Sequence, residues 1–105
     1  MYVPRRTRRF RLRLRVATSR SKSITVDVSA GGFCTEMMRV LSVGESLEGL
    51  IHLRGRDMFF AGRVAWARAG DPRFGQIGRM GVCFGQIDPE FAQSLDLRGS
   101  EASAV

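Results

Sequence analysis

The sequence predicts a mainly β fold, a small antiparallel barrel of six to seven strands with a basic N-terminal arm and a short C-terminal helix. Apolar and polar residues alternate in short runs, the mark of strands with one buried face. Turn residues punctuate those runs about every eight to twelve positions, as in small barrels and sandwiches. Asp88-Pro89-Glu90 begins a single helix, with Asp88 as N-cap and Pro89 in the first turn. The chain has 105 residues, 44% of them hydrophobic, which suits one domain with one core.

Met1 to Arg9 has no hydrophobic period, so residues 1–9 are expected to be a flexible arginine-rich arm. Residues 10–97 form the barrel domain with its helix. Phe10 to Val16 alternates apolar residues with Arg11, Arg13 and Arg15 and predicts a strand whose arginines share the solvent face. Ala17 to Ser23 is a hairpin-type connection. In the next strand Ile24, Val26 and Val28 are expected to face the core, leaving Thr25, Asp27 and Ser29 on the opposite face. Gly31-Gly32 permits a left-handed turn or a close approach to the backbone. Phe33 to Met38 resumes as strand. Val43-Gly44-Glu45 turns into Leu47 to Leu53, and Gly55-Arg56-Asp57 turns into Met58 to Ala67. Asp71 to Gly75 is loop and Arg79 to Phe84 is the last strand. The helix is expected to direct Phe91, Ala92 and Leu95 inward, and residues 98–105 form a disordered tail.

Charge is distributed unevenly. The net charge is +7, from 17 basic and 10 acidic residues. Nine of the basic residues lie at or before Lys22, and every acidic one lies at or after Asp27, so the part from Asp27 onward carries 8 − 10 = −2. All the basic residues but Lys22 are arginine, whose planar fork matches phosphate oxygens and guanine edges better than an ammonium does. The arm is therefore a footprint for a phosphate-bearing partner.

Several function classes lack their chemistry here. Two cysteines without CxxC spacing and a lone histidine, His52, give no zinc set. Cys34 and Cys83 are expected to be small buried hydrophobes of a reduced, cytoplasmic protein. No apolar run approaches the ~18 residues of a membrane span, and no secretory signal core is present. Ser29 has no triad partner, and no paired carboxylates or Walker-type phosphate loop stand out. No enzyme activity, cofactor or metal is expected.

An RxxxR arginine pair, DxSxxG as Asp27-Val28-Ser29-Ala30-Gly31-Gly32, GRVAW at Gly62 to Trp66 and RMGVCF at Arg79 to Phe84 follow one another in the chain. In this order they resemble the PilZ domain, over about Arg5 to Leu95. The resemblance implies a bacterial receptor for cyclic di-GMP on a six-stranded antiparallel barrel with a C-terminal helix. It implies a site formed by Arg5, Arg9, Asp27, Ser29 and Gly32, with Arg6, Arg8, Gly31 and Trp66 as further candidate contacts. Arginines answer phosphates and guanine acceptor edges, and a carboxylate and a hydroxyl answer guanine donors. RxxxR also fits Arg9 with Arg13 and Arg11 with Arg15. The pair Arg5 and Arg9 is preferred because the family's pair precedes the first strand.

With no output domain attached, such a receptor would signal by a ligand-induced change in its surface toward an effector protein. Two other readings remain. One is a PilZ-like adaptor that binds protein without nucleotide. The other is a small nucleic-acid-binding barrel, with the arm on phosphates and Phe10 or Trp66 stacking bases. The simplest fate of Asp27, Ser29 and the glycines is a turn, that of Trp66 a place in the barrel wall, and that of Met37 and Met38 a place in the core or at a strand edge.

Overall fold

The structure, a computed structural model, describes residues 8–95. Among them are seven strands: β1 Arg9–Phe10, β2 Arg15–Thr18, β3 Lys22–Ser29, β4 Gly32–Met37, β5 Ser46–Leu53, β6 Arg56–Arg68 and β7 Gly78–Ile87. A final helix, α1, occupies 90–95 within the described range. All pairings are antiparallel and run β1-β3-β2-β5-β6-β7-β4, and β4 returns to pair with β3. That last pairing closes six strands into a barrel, leaving β1 outside on β3 and removing the exposed edges an open sheet would carry.

Inward residues alternate around the barrel as the pleat requires. Val16, Val28, Phe33, Ile51, Met58, Phe60, Val64, Met80 and Val82 fill the core. Phe33 meets Phe60 edge to face at 5.4 Å, and Phe84 meets Phe91 in the same way at 5.5 Å. These contacts carry the aromatic cluster from the barrel to α1. Asp88 caps the helix by accepting from the Glu90 amide at 2.9 Å, and Arg56 forms ion pairs with Asp88 and Glu90. Phe91 and Leu95 are buried as expected; Ala92 is exposed instead, because a single turn and a half against the barrel buries only one stripe.

Three sequence expectations change locally. The run Phe10 to Val16 is not one continuous strand. Arg9 and Phe10 pair with Ser29 and Val28, Arg15 and Val16 pair with Ile24 and Ser23, and residues 11–14 lie between without a ladder. The Thr25 side chain replaces the missing ladder bonds. Its hydroxyl donates to the Leu12 carbonyl at 2.6 Å and accepts from the Leu14 amide at 2.8 Å. The alternation of the run survives, with Arg11, Arg13 and Arg15 exposed and Leu14 and Val16 buried.

The second change is in β3. Thr25 is fully buried and Ile24 is 38% exposed, the reverse of the simple alternation. A β-bulge explains it: Thr25 pairs with Thr35, but the next partner of β4, Cys34, meets Asp27. Val26 is the extra residue, and inserting one residue flips the face of everything on one side of it. The third change is smaller. The β5–β6 turn is Arg54-Gly55, both with positive φ of 54° and 79°, and Arg56 and Asp57 already belong to β6.

Candidate functional site

Asp27 follows the bulge in β3 and, next to the buried Val28, points out of the barrel. Arg9, carried by β1 on the neighbouring edge, reaches it: Nε and Nη2 both donate to Asp27 Oδ1, at 3.2 and 2.5 Å. Both bonds fall on one carboxylate oxygen. Arg9 keeps 52% of its side chain exposed and Asp27 29%, so the pair sits open to solvent. Such a pair contributes little stability and exchanges readily for another partner.

Register places the rest of the face. Asp27 pairs with Cys34, Cys34 with Gly81 and Gly81 with Trp66, so these four residues form one outward row across β3, β4, β7 and β6. One pleat along, Ser29, Gly32, Cys83 and Arg63 form a second row. The outward members of the GRVAW segment, Arg63 and Trp66, and of the RMGVCF segment, Arg79, Gly81 and Cys83, thus share the face that carries Asp27. Between Asp27 and Trp66 no side chain is larger than cysteine. At ~4.8 Å per strand Asp27 and Trp66 stand about 14 Å apart along the row, and Cys34 and Gly81 between them are both buried. Trp66 bounds it, 44% exposed, with its indole lying so closely on Gly81 that a Cβ there would overlap Nε1. The charged rim and the smooth floor together suit a flat, anionic, hydrogen-bonding ligand.

Ser29 and the glycines have a different place from the one expected. Ser29 faces away from the core, but it is fully buried, with its side chain turned onto the Gly31-Gly32 turn. Its hydroxyl accepts from the Gly31 amide at 3.2 Å and donates to the Gly32 carbonyl at 3.4 Å. It therefore braces the turn. Gly31 fixes that turn to β7, its carbonyl accepting from the Phe84 amide at 2.9 Å. At Gly32 a Cβ would overlap the Val82 carbonyl, so the close approach that requires glycine is made by the neighbouring strand.

Arg8 stacks its guanidinium over Phe10, 4.9 Å from the ring centroid, at the start of the same arm. Arg5 and Arg6 lie outside the described residues. Of the arginine pairs that fit RxxxR, the two containing Arg9 include a residue in contact with Asp27; Arg15 lies instead on β2, opposite Ile24. His52 faces Asp57 at 2.9 Å on the far side of the barrel, away from this face.

Two features of the site were missed in the sequence. Cys34 is buried without belonging to the core cluster; it lies in the floor beside Asp27. Burial pushes its thiol pKa up, the Asp27 charge pushes it further, and Arg79 and Arg9 pull against them. Cys83 is half-buried in the second row. Thr25, which pins the arm beside Asp27, was the other omission, and only the buried hydroxyl opposite an irregular segment reveals it.

Among the described residues no group of His, Cys, Asp and Glu could hold a metal ion, and no helix is long and apolar enough to cross a membrane. No curated protein matches the chain. Among solved structures, the inhibitor of motility MotI/DgrA of Bacillus subtilis is similar, with a TM-score of 0.71 at 22% identity. The match covers 90% of this chain and 48% of that one, so the chain spans about half its length. The model of the PilZ domain matches residues 4–97. With that match over nearly the whole chain, on a closed six-stranded barrel with one outside strand, the chain belongs to the PilZ domain family.

Proposed function

We propose that the protein is a receptor for cyclic di-GMP, bound on the outer face of β3, β4, β7 and β6. The observation that carries this reading is the Arg9–Asp27 pair at the edge of a floor made of Cys34 and Gly81. Arg9 delivers a fork of donors for a phosphate or for the O6 and N7 edge of guanine. Asp27 engages Arg9 through Oδ1, which leaves Oδ2 directed to the N1 and N2 donors of a guanine. Gly81 lets the Trp66 indole lie down on the sheet beside Asp27, and the exposed part of that ring offers a base a stacking surface. Arg5, four residues before Arg9, supplies the second cation, with Arg6 and Arg8 beside it. Ser29 and Gly31 hold the turn, and Gly32 lets β4 lie against β7.

Binding draws the arm arginines onto the ligand, so the arm and β1 change their surface, and that change is the signal read by an effector protein. No chemistry on the ligand is part of this reading, since PilZ domains are a family of non-catalytic receptors. Calorimetric titration of cyclic di-GMP into the wild type, Arg9→Ala and Asp27→Ala tests it. The expected result is saturable binding to the wild type and at least a tenfold loss in each variant, about 1.4 kcal/mol, as for a truncated charged contact. No heat in the wild type rejects the function, and unchanged binding in both variants rejects the site. Tight, salt-steep binding to generic DNA or RNA without preference for the dinucleotide supports a nucleic-acid-binding barrel instead.

A further inference from the structure

The third outward row, one pleat from Asp27 in the other direction, consists of Ile24, Glu36, Arg79 and Arg68. Beside it opens a groove of about 700 Å³ between the β2–β3 hairpin and the segment after β4. Arg13, Lys22 and Arg39 line it, all exposed. Arg20 joins them but is engaged by Glu45 at 3.2 Å. Glu36 is the acid of the groove, and Arg79 holds it through two bonds of 3.2 and 3.0 Å. The uncompensated charge is therefore positive. The apolar part is unusually open for a small domain: Ile24 is 38%, Ile77 46% and Met38 76% exposed.

We infer that this groove docks an acidic segment of a partner protein, one that alternates carboxylates with aliphatic anchors. Charge complementarity sets the sign of the partner. The apolar lining sets its class. Met37, Met38, Leu41, Ile24 and Ile77 are aliphatic or thioether side chains, and methionine adapts its shape to a partner's side chains. Among the described residues no aromatic ring lines the groove, whereas single-stranded nucleic acid is held by aromatic stacking platforms between cations. An exposed apolar patch rimmed by charge marks an interaction site on a small domain. The groove lies outside the two rows assigned to the nucleotide, and the inference stands whether or not a nucleotide binds there.

The test is an NMR titration of the ¹⁵N-labelled protein, without nucleotide, by a short synthetic peptide alternating Glu and Leu. The same peptide with Gln for Glu and an oligothymidylate of equal charge serve as comparisons. The expected result is amide shifts confined to the groove, around residues 22–24, 36–39 and 77, with the Gln peptide at least fivefold weaker. Arg13→Ala combined with Arg39→Ala is expected to weaken binding about tenfold, and Met38→Ser severalfold, as for interface anchors. These side chains are exposed, and an unchanged thermal transition shows that the variants fold. Scattered shifts, binding indifferent to Met38→Ser, or tighter binding by the oligothymidylate would each overturn the inference.

Discussion

Thr25 decides whether the arginine segment stays on the barrel, and Thr25→Val isolates that role because valine keeps the shape and loses only the hydroxyl. The Leu14 amide, whose acceptor is Thr25 Oγ1 at 2.8 Å, would be buried without a partner. The Leu12 carbonyl would lose its bond of 2.6 Å, but it lies at the half-buried end and water can replace it. Leaving one buried donor unsatisfied costs about 1–3 kcal/mol, so the variant should lose about 2 kcal/mol. For a domain of this size that lowers Tm by about 10 °C. Thr25→Ser keeps both bonds and removes one methyl group, at a cost of about 1 kcal/mol. Urea unfolding followed by Trp66, the only tryptophan, measures both. The reasoning is refuted if Thr25→Val matches the wild type within about 0.5 kcal/mol, or if Thr25→Ser is the more damaging change.

Other predictions concern the floor of the site. Gly32→Ala places a methyl group on the Val82 carbonyl, backbone against side chain with nothing flexible to yield, and is expected to cost about 3 kcal/mol in the same urea assay; a loss below about 1 kcal/mol contradicts the packing. The Cys34 thiol is held protonated by burial first and by the Asp27 charge second. Its contribution to stability is therefore intact below the ordinary thiol pKa and is lost as pH rises through the raised one. Ellman's reagent, used on Cys83→Ser to isolate Cys34, should find its reaction midpoint at more alkaline pH in the folded protein than in the urea-unfolded chain. Asp27→Asn should move that midpoint down, and an upward move would contradict the assigned cause.

Much of this architecture was legible in the chain because a strand's period of two is a strong signal when one face is buried. Arg79 to Val82 alternates and falls within β7, and Leu47 to Leu53 became β5 although the exposed Leu50 interrupts its alternation. The Asp88-Pro89 start carried its own capping chemistry and fixed the helix. The misreadings cluster where one residue was inserted. The run Ile24 to Ser29 alternates in either phase, since Thr25 is small enough to bury and Ile24 can remain at the surface, and nothing local marks Val26 as the bulge. Asp27 keeps the outer face that alternation with Val28 predicts, and the bulge reverses only Ile24 and Thr25 before it. Ser29 shows the other limit: alternation predicts its side of the strand, but not that its hydroxyl folds back onto the Gly31-Gly32 turn and is buried there. The floor was invisible for a different reason. Cys34 and Gly81 belong to different segments and become one surface only through the β4–β7 register.

The central claim is that the row Asp27, Cys34, Gly81 and Trp66, edged by Arg9, receives the nucleotide. A titration of the ¹⁵N-labelled protein with cyclic di-GMP tests it residue by residue. The account predicts saturable shifts at the amides of Arg9, Asp27, Cys34 and Gly81 and at the Trp66 indole, with His52 and its neighbours unmoved. Saturable shifts centred elsewhere on the barrel, or none at all, would contradict it.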